Sequence, residues 1–168
     1  MTRLDTRCLG TAALVAVVAL AASASPAEAQ DPGRVRFALA GGPTLNDLEA
    51  GGTLWLGVAS VETRPAELPV VVDASFRYMT YTAAEREHYP LAELSAQWEI
   101  GRGTVRPFLG AGAGFAWRVR PGETTSDPSY HGTGGVRIRL GGSLGVRAEA
   151  RFRSLEPLAD FTLGLTFG

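Results

Sequence analysis

The segment that decides the fold runs from Gly134 to Phe152 and reads GGVRIRLGGSLGVRAEARF. On each side of its GGS triplet at 141–143, alternate positions are apolar, while the intervening positions hold arginine, glutamate or glycine. A period of two residues is that of an extended strand, and glycines between two such runs mark a turn. The segment therefore predicts a β-hairpin with one apolar face and one charged face.

The same period of two extends over most of the chain. No stretch of residues 30–168 keeps apolar residues at helical spacing for more than two turns, because glycine or proline interrupts each candidate. The sequence therefore predicts an all-β fold of eight antiparallel strands. The alternating runs lie at 34–45, 52–62, 69–82, 89–100, 105–120, 131–140, 143–154 and 159–168.

The composition excludes several classes of protein. A chain of 168 residues is ordinarily one domain, and 45% hydrophobic residues are too many for a disordered chain. All 16 basic residues are arginine, and with 17 acidic residues they give a net charge of −1, so no basic surface for nucleic acid is expected. The 21 glycines favour a chain with many turns over a helical bundle.

The first 29 residues have the pattern of a cleaved secretory signal peptide. Arg3 and Arg7 precede the apolar run TAALVAVVALAA at 11–22, and Ala27 and Ala29 place small residues where signal peptidase cleaves. This apolar run is shorter than the ~20 residues that a membrane-spanning helix needs. We therefore expect residues 1–29 to be removed.

Cleavage would leave residues 30–168 as one exported barrel domain. It would remove Cys8, the only cysteine, which precedes the apolar run and is therefore not placed for lipid attachment. The exported domain is then expected to contain no disulfide and no cysteine metal site.

The charged face of the strands has two possible directions in a closed barrel. In a soluble barrel, such as a periplasmic lipocalin-like protein that binds a ligand, the apolar face points inward. In a membrane barrel the apolar face points to lipid, and the narrow interior holds paired charges. Arginine as the only base, alternating with glycine and offset by carboxylates, favours the membrane barrel because a guanidinium suits buried ion pairs.

Three segments carry a resemblance to a known family: PFLGAGAGFAW at Pro107–Trp117, the hairpin Gly134–Phe152 and the last run FTLGLTF at 161–167. With them, the chain resembles the small eight-stranded outer-membrane β-barrels of the OmpA-like and OmpX-like group. The resemblance implies an antiparallel up-and-down transmembrane β-barrel in the outer membrane of a two-membrane bacterium. For this chain we expect a structural or surface-interaction role and no catalysis.

The resemblance also implies partners and a state of assembly. We expect contact with outer-membrane lipid and lipopolysaccharide, assembly by the outer-membrane insertion machinery, and a monomer. Chains of this group usually end on an aromatic residue, whereas here Gly168 follows Phe167.

If the charged faces share the barrel interior, strand parity decides which side chains can pair. The connections predict three pairs, which are Arg153 with Asp160, Glu99 with Arg106, and Arg77 with Glu93. Such a network would fill the interior of an eight-stranded barrel, so no wide pore is expected.

Glu149 is predicted to lie among several arginines of the interior. Its neighbours by parity are Arg137, Arg147 and Arg151. The whole predicted network consists of Arg77, Glu93, Glu99, Arg106, Arg137, Arg147, Glu149, Arg151, Arg153 and Asp160.

Aromatic residues on the apolar faces fall at two levels, as belts at the two membrane interfaces do. Toward one end of the predicted strands lie Tyr78, Trp117, Phe152 and Phe161, and toward the other lie Phe37, Trp98 and Phe167.

The run at 52–62 has the weakest pattern. It is predicted with Leu54, Leu56 and Val58 facing outward, which turns Trp55 into the interior.

The connections predict which end of the barrel faces outside. With the first run entering from the periplasm, those near 62–68, 101–104 and 141–143 are periplasmic. Those near 45–52, 82–89, 121–130 and 154–159 are then external, and 121–130 is predicted to be the longest external loop.

The two histidines are the remaining candidates for chemistry. His88 lies in the segment EREHYP and is expected to be a solvated loop residue rather than a metal ligand. The triplet His131-Gly132-Thr133 is similar to the His-x-Ser arrangement of outer-membrane lipid A deacylases, but threonine stands where the nucleophilic serine belongs. A lipid A-modifying enzyme that uses His131 stays as an alternative.

The glycine-rich run at 110–114 is not interpreted as a phosphate-binding loop, because no helix follows it. No catalytic, cofactor-binding or metal-binding residue is therefore assigned from the sequence.

Overall fold

The computed structural model of the chain describes residues 34–45, 53–65, 68–81, 87–101, 103–155 and 159–168. The predicted signal peptide at 1–29 lies outside the described residues. The eight strands are β1 (Val35–Leu45), β2 (Thr53–Thr63), β3 (Val70–Tyr81), β4 (Glu87–Glu99), β5 (Val105–Arg120), β6 (Glu123–Gly141), β7 (Leu144–Arg153) and β8 (Ala159–Phe167).

The strands form one closed antiparallel barrel in which each strand pairs with its neighbours in sequence. The first and last strands close it, with Phe37 opposite Phe167 and Leu45 opposite Ala159. No helix within the described ranges is long and apolar enough to cross a bilayer. The eight-stranded antiparallel fold predicted from the alternating runs is therefore confirmed.

The two ends of the barrel differ. At one end β1 begins and β8 ends, and we call it the termini end. At the opposite end β5 turns into β6 through residues 121–122, and we call it the hairpin end. Gly122 has a φ of 83° in this turn, a conformation that favours glycine.

The β5–β6 hairpin corrects the predicted external loop at 121–130. The two strands pair without a break from Val105 and Ile138 to Arg120 and Glu123, so most of the predicted loop is strand. The alternation was lost there because residues 123–128 are exposed on both faces, and a strand with two hydrated faces shows no apolar period. The predicted contrast between short and long connections therefore does not hold at this hairpin.

The distribution of side chains is inside-out compared with a soluble protein. Leu163 and Trp98 face outward and are 64% and 60% exposed, whereas Arg77 and Arg151 face inward and are 1% and 0% exposed. Among the described residues, six acids and six arginines are buried inside the barrel. They are Glu62, Asp73, Glu93, Glu99, Glu149, Asp160, Arg77, Arg106, Arg137, Arg147, Arg151 and Arg153.

The orientation predicted for the second strand is wrong. Trp55 faces outward and is 74% exposed, while Leu56 and Val58 are buried inside against Met79 of β3. The side chain of Leu54 lies outside the described residues. This part of β2 is apolar on both faces, so its alternation could not show which face points inward. Glu62, later in the same strand, lies on the inward face and identifies the correct parity.

Candidate functional site

Glu149, midway along β7, is buried inside the barrel and binds three arginines. Arg147 and Arg151 lie two residues before and after it on β7, because alternate residues of a strand share a face. The Nε of Arg151 donates to Oε1 of Glu149 at 2.9 Å, and Arg147 donates to the other carboxylate oxygen. From β3, Arg77 reaches across the interior and donates to Oε1 at 2.5 Å.

A second carboxylate, Glu93 of β4, binds two arginines of β7 across the interior and one of the neighbouring strand β3. The Nε of Arg153 lies 2.7 Å from its Oε1, and Nη1 of Arg151 lies 2.8 Å from its Oε2. The Nε of Arg77 lies 3.1 Å from the same Oε2. Asp160 of β8 closes this group by accepting from Arg77 at 2.8 Å and from Arg153.

A third group lies nearer the termini end. Nη1 of Arg147 donates to Glu62 of β2 at 2.5 Å and to Asp73 of β3 at 2.7 Å. Glu62 also accepts from Arg137 of β6 at 3.1 Å. Arg137 and Arg147 are therefore both paired with strands on the far side of the barrel.

The ring of Phe108 is enclosed by this third group. Its side chain is 0% exposed, and the guanidinium carbons of Arg137 and Arg147 lie 4.2 and 5.3 Å from the ring centroid. Gly135 makes room for the ring, because a Cβ there would lie 2.8 Å from the ring atom Cζ. An arginine over an aromatic face gains a cation–π attraction, so Phe108 is a partner of the network.

Glu99, at the end of β4, binds the arginines of the termini end. Arg64 and Arg137 lie 2.5 and 3.2 Å from its carboxylate oxygens, Arg106 lies 3.5 Å away, and Arg36 lies 3.9 Å away. One carboxylate thus faces four guanidinium groups.

All ten residues of the predicted network lie buried inside the barrel. The structure brings together Arg153 with Asp160, Arg77 with Glu93, and Glu99 with Arg106. The predicted surroundings of Glu149 differ in one member. Arg137 pairs with Glu62 and Glu99 instead, and Arg77 takes the third place around Glu149.

The sequence analysis missed two acids of the network, Glu62 and Asp73. Asp73 shares strand parity with Arg77, so alternation along the third run could have found it. Glu62 was missed because the second run was assigned the opposite orientation. Gln97, which accepts a hydrogen bond from Arg137, was also missed; it follows Glu93 and precedes Glu99 on the same face of β4.

The histidines do not form an accessible catalytic site in the described structure. His131 has a side chain that is 0% exposed, with Nδ1 3.5 Å from Oε1 of Glu93. Thr133 faces the same interior and donates to the carbonyl of Ala150 at 3.4 Å. A lipid substrate outside the barrel would have to pass the strand wall to reach either group.

His88 lies in β4 and not in a loop as predicted. Its Nδ1 is 2.7 Å from the hydroxyl of Tyr78, and the two rings stack with centroids 5.9 Å apart. Within the described ranges, no cluster of three or more His, Cys, Asp and Glu could hold a metal ion.

The predicted interface aromatics lie on the outer face at two levels. Phe37 and Phe167 stack at the termini end with centroids 6.5 Å apart. Phe152 and Phe161 meet edge to face toward the hairpin end, 6.4 Å apart. The other three predicted members are the exposed Tyr78 and Trp98 and the half-buried Trp117.

Comparison with known proteins finds similarity in structure alone. No family model and no curated protein matches the sequence. The structure of Neisserial surface protein A aligns with a TM-score of 0.65 at 12% identity, covering 79% of this chain and 95% of that one.

Two further solved structures are similar. The N-terminal β-barrel domain of Pseudomonas aeruginosa OprF has a TM-score of 0.58 at 16% identity, covering 82% of this chain and 98% of that one. Ail, the attachment invasion locus protein of Yersinia pestis, has a TM-score of 0.52 at 13% identity, covering 82% of this chain and 99% of that one. The chain thus has the fold of the small eight-stranded outer-membrane β-barrels, and the resemblance drawn from the three sequence segments is confirmed at the level of the fold.

Proposed function

We propose that this chain is a monomeric outer-membrane β-barrel protein with a structural or surface-interaction role, an interior closed by ion pairs, and no catalytic activity. One observation carries the proposal: apolar side chains cover the outside of the barrel, while twelve charged side chains of the described residues are buried within it. Water solvates charge and not hydrocarbon, so this arrangement is stable only where lipid surrounds the barrel.

The interior supports a closed barrel rather than a channel. An eight-stranded barrel is only wide enough for side chains to fill it. The six arginines and six acids buried there compensate each other in charge. Each carboxylate that binds several guanidinium groups therefore acts as a cross-link between opposite walls.

The hairpin end supports a role at the cell surface. On its β7 side, β6 first pairs at His131 with Arg153, so residues 123–129 pair only with β5 in the described part of the chain. The hairpin therefore extends beyond its other neighbour and exposes polar groups. We place this end outside, in contact with lipopolysaccharide, and the termini end in the periplasm. Ail, one of the similar structures, is named for attachment and invasion.

The lipocalin-like alternative receives no support from the geometry. Such a barrel would hold its ligand against an inward apolar face. Here the inward apolar cluster is confined to a few residues, with Leu56, Val58 and Met79 at its centre.

The proposal is tested by placing charge on the lipid-facing surface. Leu163 lies in the middle of β8 and points outward, so Leu163→Arg should cost about 2–4 kcal/mol near the bilayer midplane and impair insertion. Thr125→Arg, on the exposed hairpin, is the matched control and should insert normally. The readouts are membrane fractionation in a two-membrane bacterial host and heat-modifiable migration on gels. A wild-type protein that stays soluble in the periplasm would contradict the proposal.

A further inference from the structure

The termini end of the barrel contains a cavity lined with arginine. Its volume is about 390 Å³, and residues of β1, β5, β6, β7 and β8 and of the segments next to them line it at the mouth of the interior. The arginines that line it are Arg34, Arg36, Arg64, Arg106, Arg137 and Arg139.

The carboxylates described at this mouth do not balance its arginines. Four of the six arginines share Glu99, and Glu62 also binds one of these four, Arg137. Arg34 and Arg139 are exposed and have no carboxylate within salt-bridge distance among the described residues. Asp31, Glu67 and Arg102, whose placement lies outside the described residues, add charges of both signs to the nearby sequence.

The described acids do not satisfy every donor of the cavity arginines. The Nε atoms of Arg137 and Arg64 are buried without a hydrogen-bond acceptor among the described residues. A guanidinium presents a planar fork of donors that matches the oxygens of a phosphate group. The exposed arginines of the cavity, Arg34 and Arg139, therefore offer both positive charge and accessible guanidinium donors to a phosphate.

The rim of the cavity is apolar on the outside. Ile138 and Leu144 belong to its lining, and both are exposed residues of the outer face, at 37% and 44%. A free inorganic anion would gain nothing from contact with these apolar side chains. A phospholipid whose acyl chains lie along the outer face could place its phosphate over the rim and onto the arginines.

From these observations, and resting on the membrane location proposed above, we propose that the termini end binds the phosphate of an anionic phospholipid such as phosphatidylglycerol. Arg34 and Arg139 provide the outermost contacts, and the arginines around Glu99 provide the positive field behind them. A zwitterionic lipid binds less well, because its ammonium group is repelled by the same arginines.

The test uses the mature barrel in phosphatidylcholine vesicles that contain a minor fraction of spin-labelled phosphatidylglycerol or, in parallel, spin-labelled phosphatidylcholine. The measured quantity is the relative association constant of the two labelled lipids for the barrel. The variant Arg34→Gln/Arg139→Gln changes two exposed arginines that hold no carboxylate partner in the described chain. Arg118→Gln/Arg120→Gln, on β5 at the hairpin end, makes the same change in charge at the other end.

We expect the wild type and the Arg118→Gln/Arg120→Gln variant to prefer phosphatidylglycerol severalfold, and the Arg34→Gln/Arg139→Gln variant to lose most of that preference. An inserted wild type without preference, an equal loss in both variants, or full displacement of the lipid by inorganic phosphate at constant ionic strength would overturn the inference while leaving the proposed function intact. A wild type that does not enter vesicles would overturn both. Heat-modifiable migration of each variant shows that it is folded.

Discussion

Glu149 shows what a single residue contributes to this barrel. Its two oxygens accept from Arg77, Arg147 and Arg151, and its side chain is only 1% exposed to solvent. A buried ion pair adds little net stability compared with apolar packing, but removing one member leaves the others as uncompensated buried charge. The barrel therefore needs the carboxylate of Glu149 to compensate the charge of the buried arginines around it.

Replacement of Glu149 by alanine should lower the free energy of unfolding by about 3–5 kcal/mol, since three buried guanidinium groups lose a shared partner. The measurement is equilibrium unfolding in urea of the barrel folded into lipid vesicles. Asp127→Ala, at an exposed position of the hairpin, is the control and should change stability little. Equal stability of Glu149→Ala and wild type would show that other acids or water compensate the charge of the three arginines.

At the scale of the strand, the alternation of residues predicted most elements and failed where both faces of a strand meet the same medium. The β7 and β8 strands have one apolar and one polar face, and their bounds and orientations follow from the sequence. The early part of β2 is apolar on both faces, and the start of β6 is polar on both, so orientation was lost in the first and strand identity in the second. Ion pairs between side chains on opposite walls could be predicted only with the register of the strands. The sequence leaves that register open to shifts of two residues.

The outward position of Trp55 can be tested by fluorescence. In a variant that keeps only this tryptophan, made with Trp98→Phe and Trp117→Phe, lipids brominated near the head groups should quench the emission strongly. The reason is its 74% exposure on the outer face near the hairpin end of β2. A variant that keeps only the outward Trp98 is the positive control. Emission that brominated lipid does not quench would contradict the outward position of Trp55 and support an inward one.

The glycines of β5 let this strand approach β4 and leave space for interior side chains. A Cβ at Gly112 would overlap the carbonyl of Leu94 and lie 2.6 Å from Nε2 of His131. Gly112→Ala should therefore destabilise the barrel by about 1–3 kcal/mol, the usual cost of overpacking. Gly132→Ala is the matched control, because nothing lies within 4 Å of a Cβ there. The measurement is equilibrium unfolding in urea. Equal stability of the two variants would mean that β4 and β5 can move apart to accommodate the added methyl group without cost.

For the whole molecule, the sequence predicted the closed barrel from the alternation of eight runs. It predicted the inward direction of the charged faces from arginine as the only base and from the signal-peptide pattern. It did not predict which acid binds which arginine around Glu62 and Arg137, because those contacts join strands on opposite walls. Nor did it predict the arginine cavity, whose residues come from five strands and adjoining segments at one end. Such convergence depends on shear and tilt, which local patterns do not specify.

The filled interior gives an expectation for the intact protein. Reconstituted in planar bilayers, the wild type should show no steady single-channel conductance, because buried charged side chains fill the described interior of an eight-stranded barrel and several of their ion pairs join opposite walls. A wide general porin, measured in the same membranes, controls for detection. A stable open conductance would show that the network leaves a continuous passage.

The ion pairs also constrain the order of events by which this chain can enter a membrane. Arg147 of β7 binds Glu62 and Asp73, which lie 85 and 74 residues earlier, and Arg77 of β3 binds Asp160, 83 residues later. A hairpin that crossed the bilayer alone would carry its arginines into hydrocarbon without their partners, at high cost. Partly inserted sheets are therefore disfavoured. The strands should cross the bilayer in the same step in which their buried arginines and acids pair.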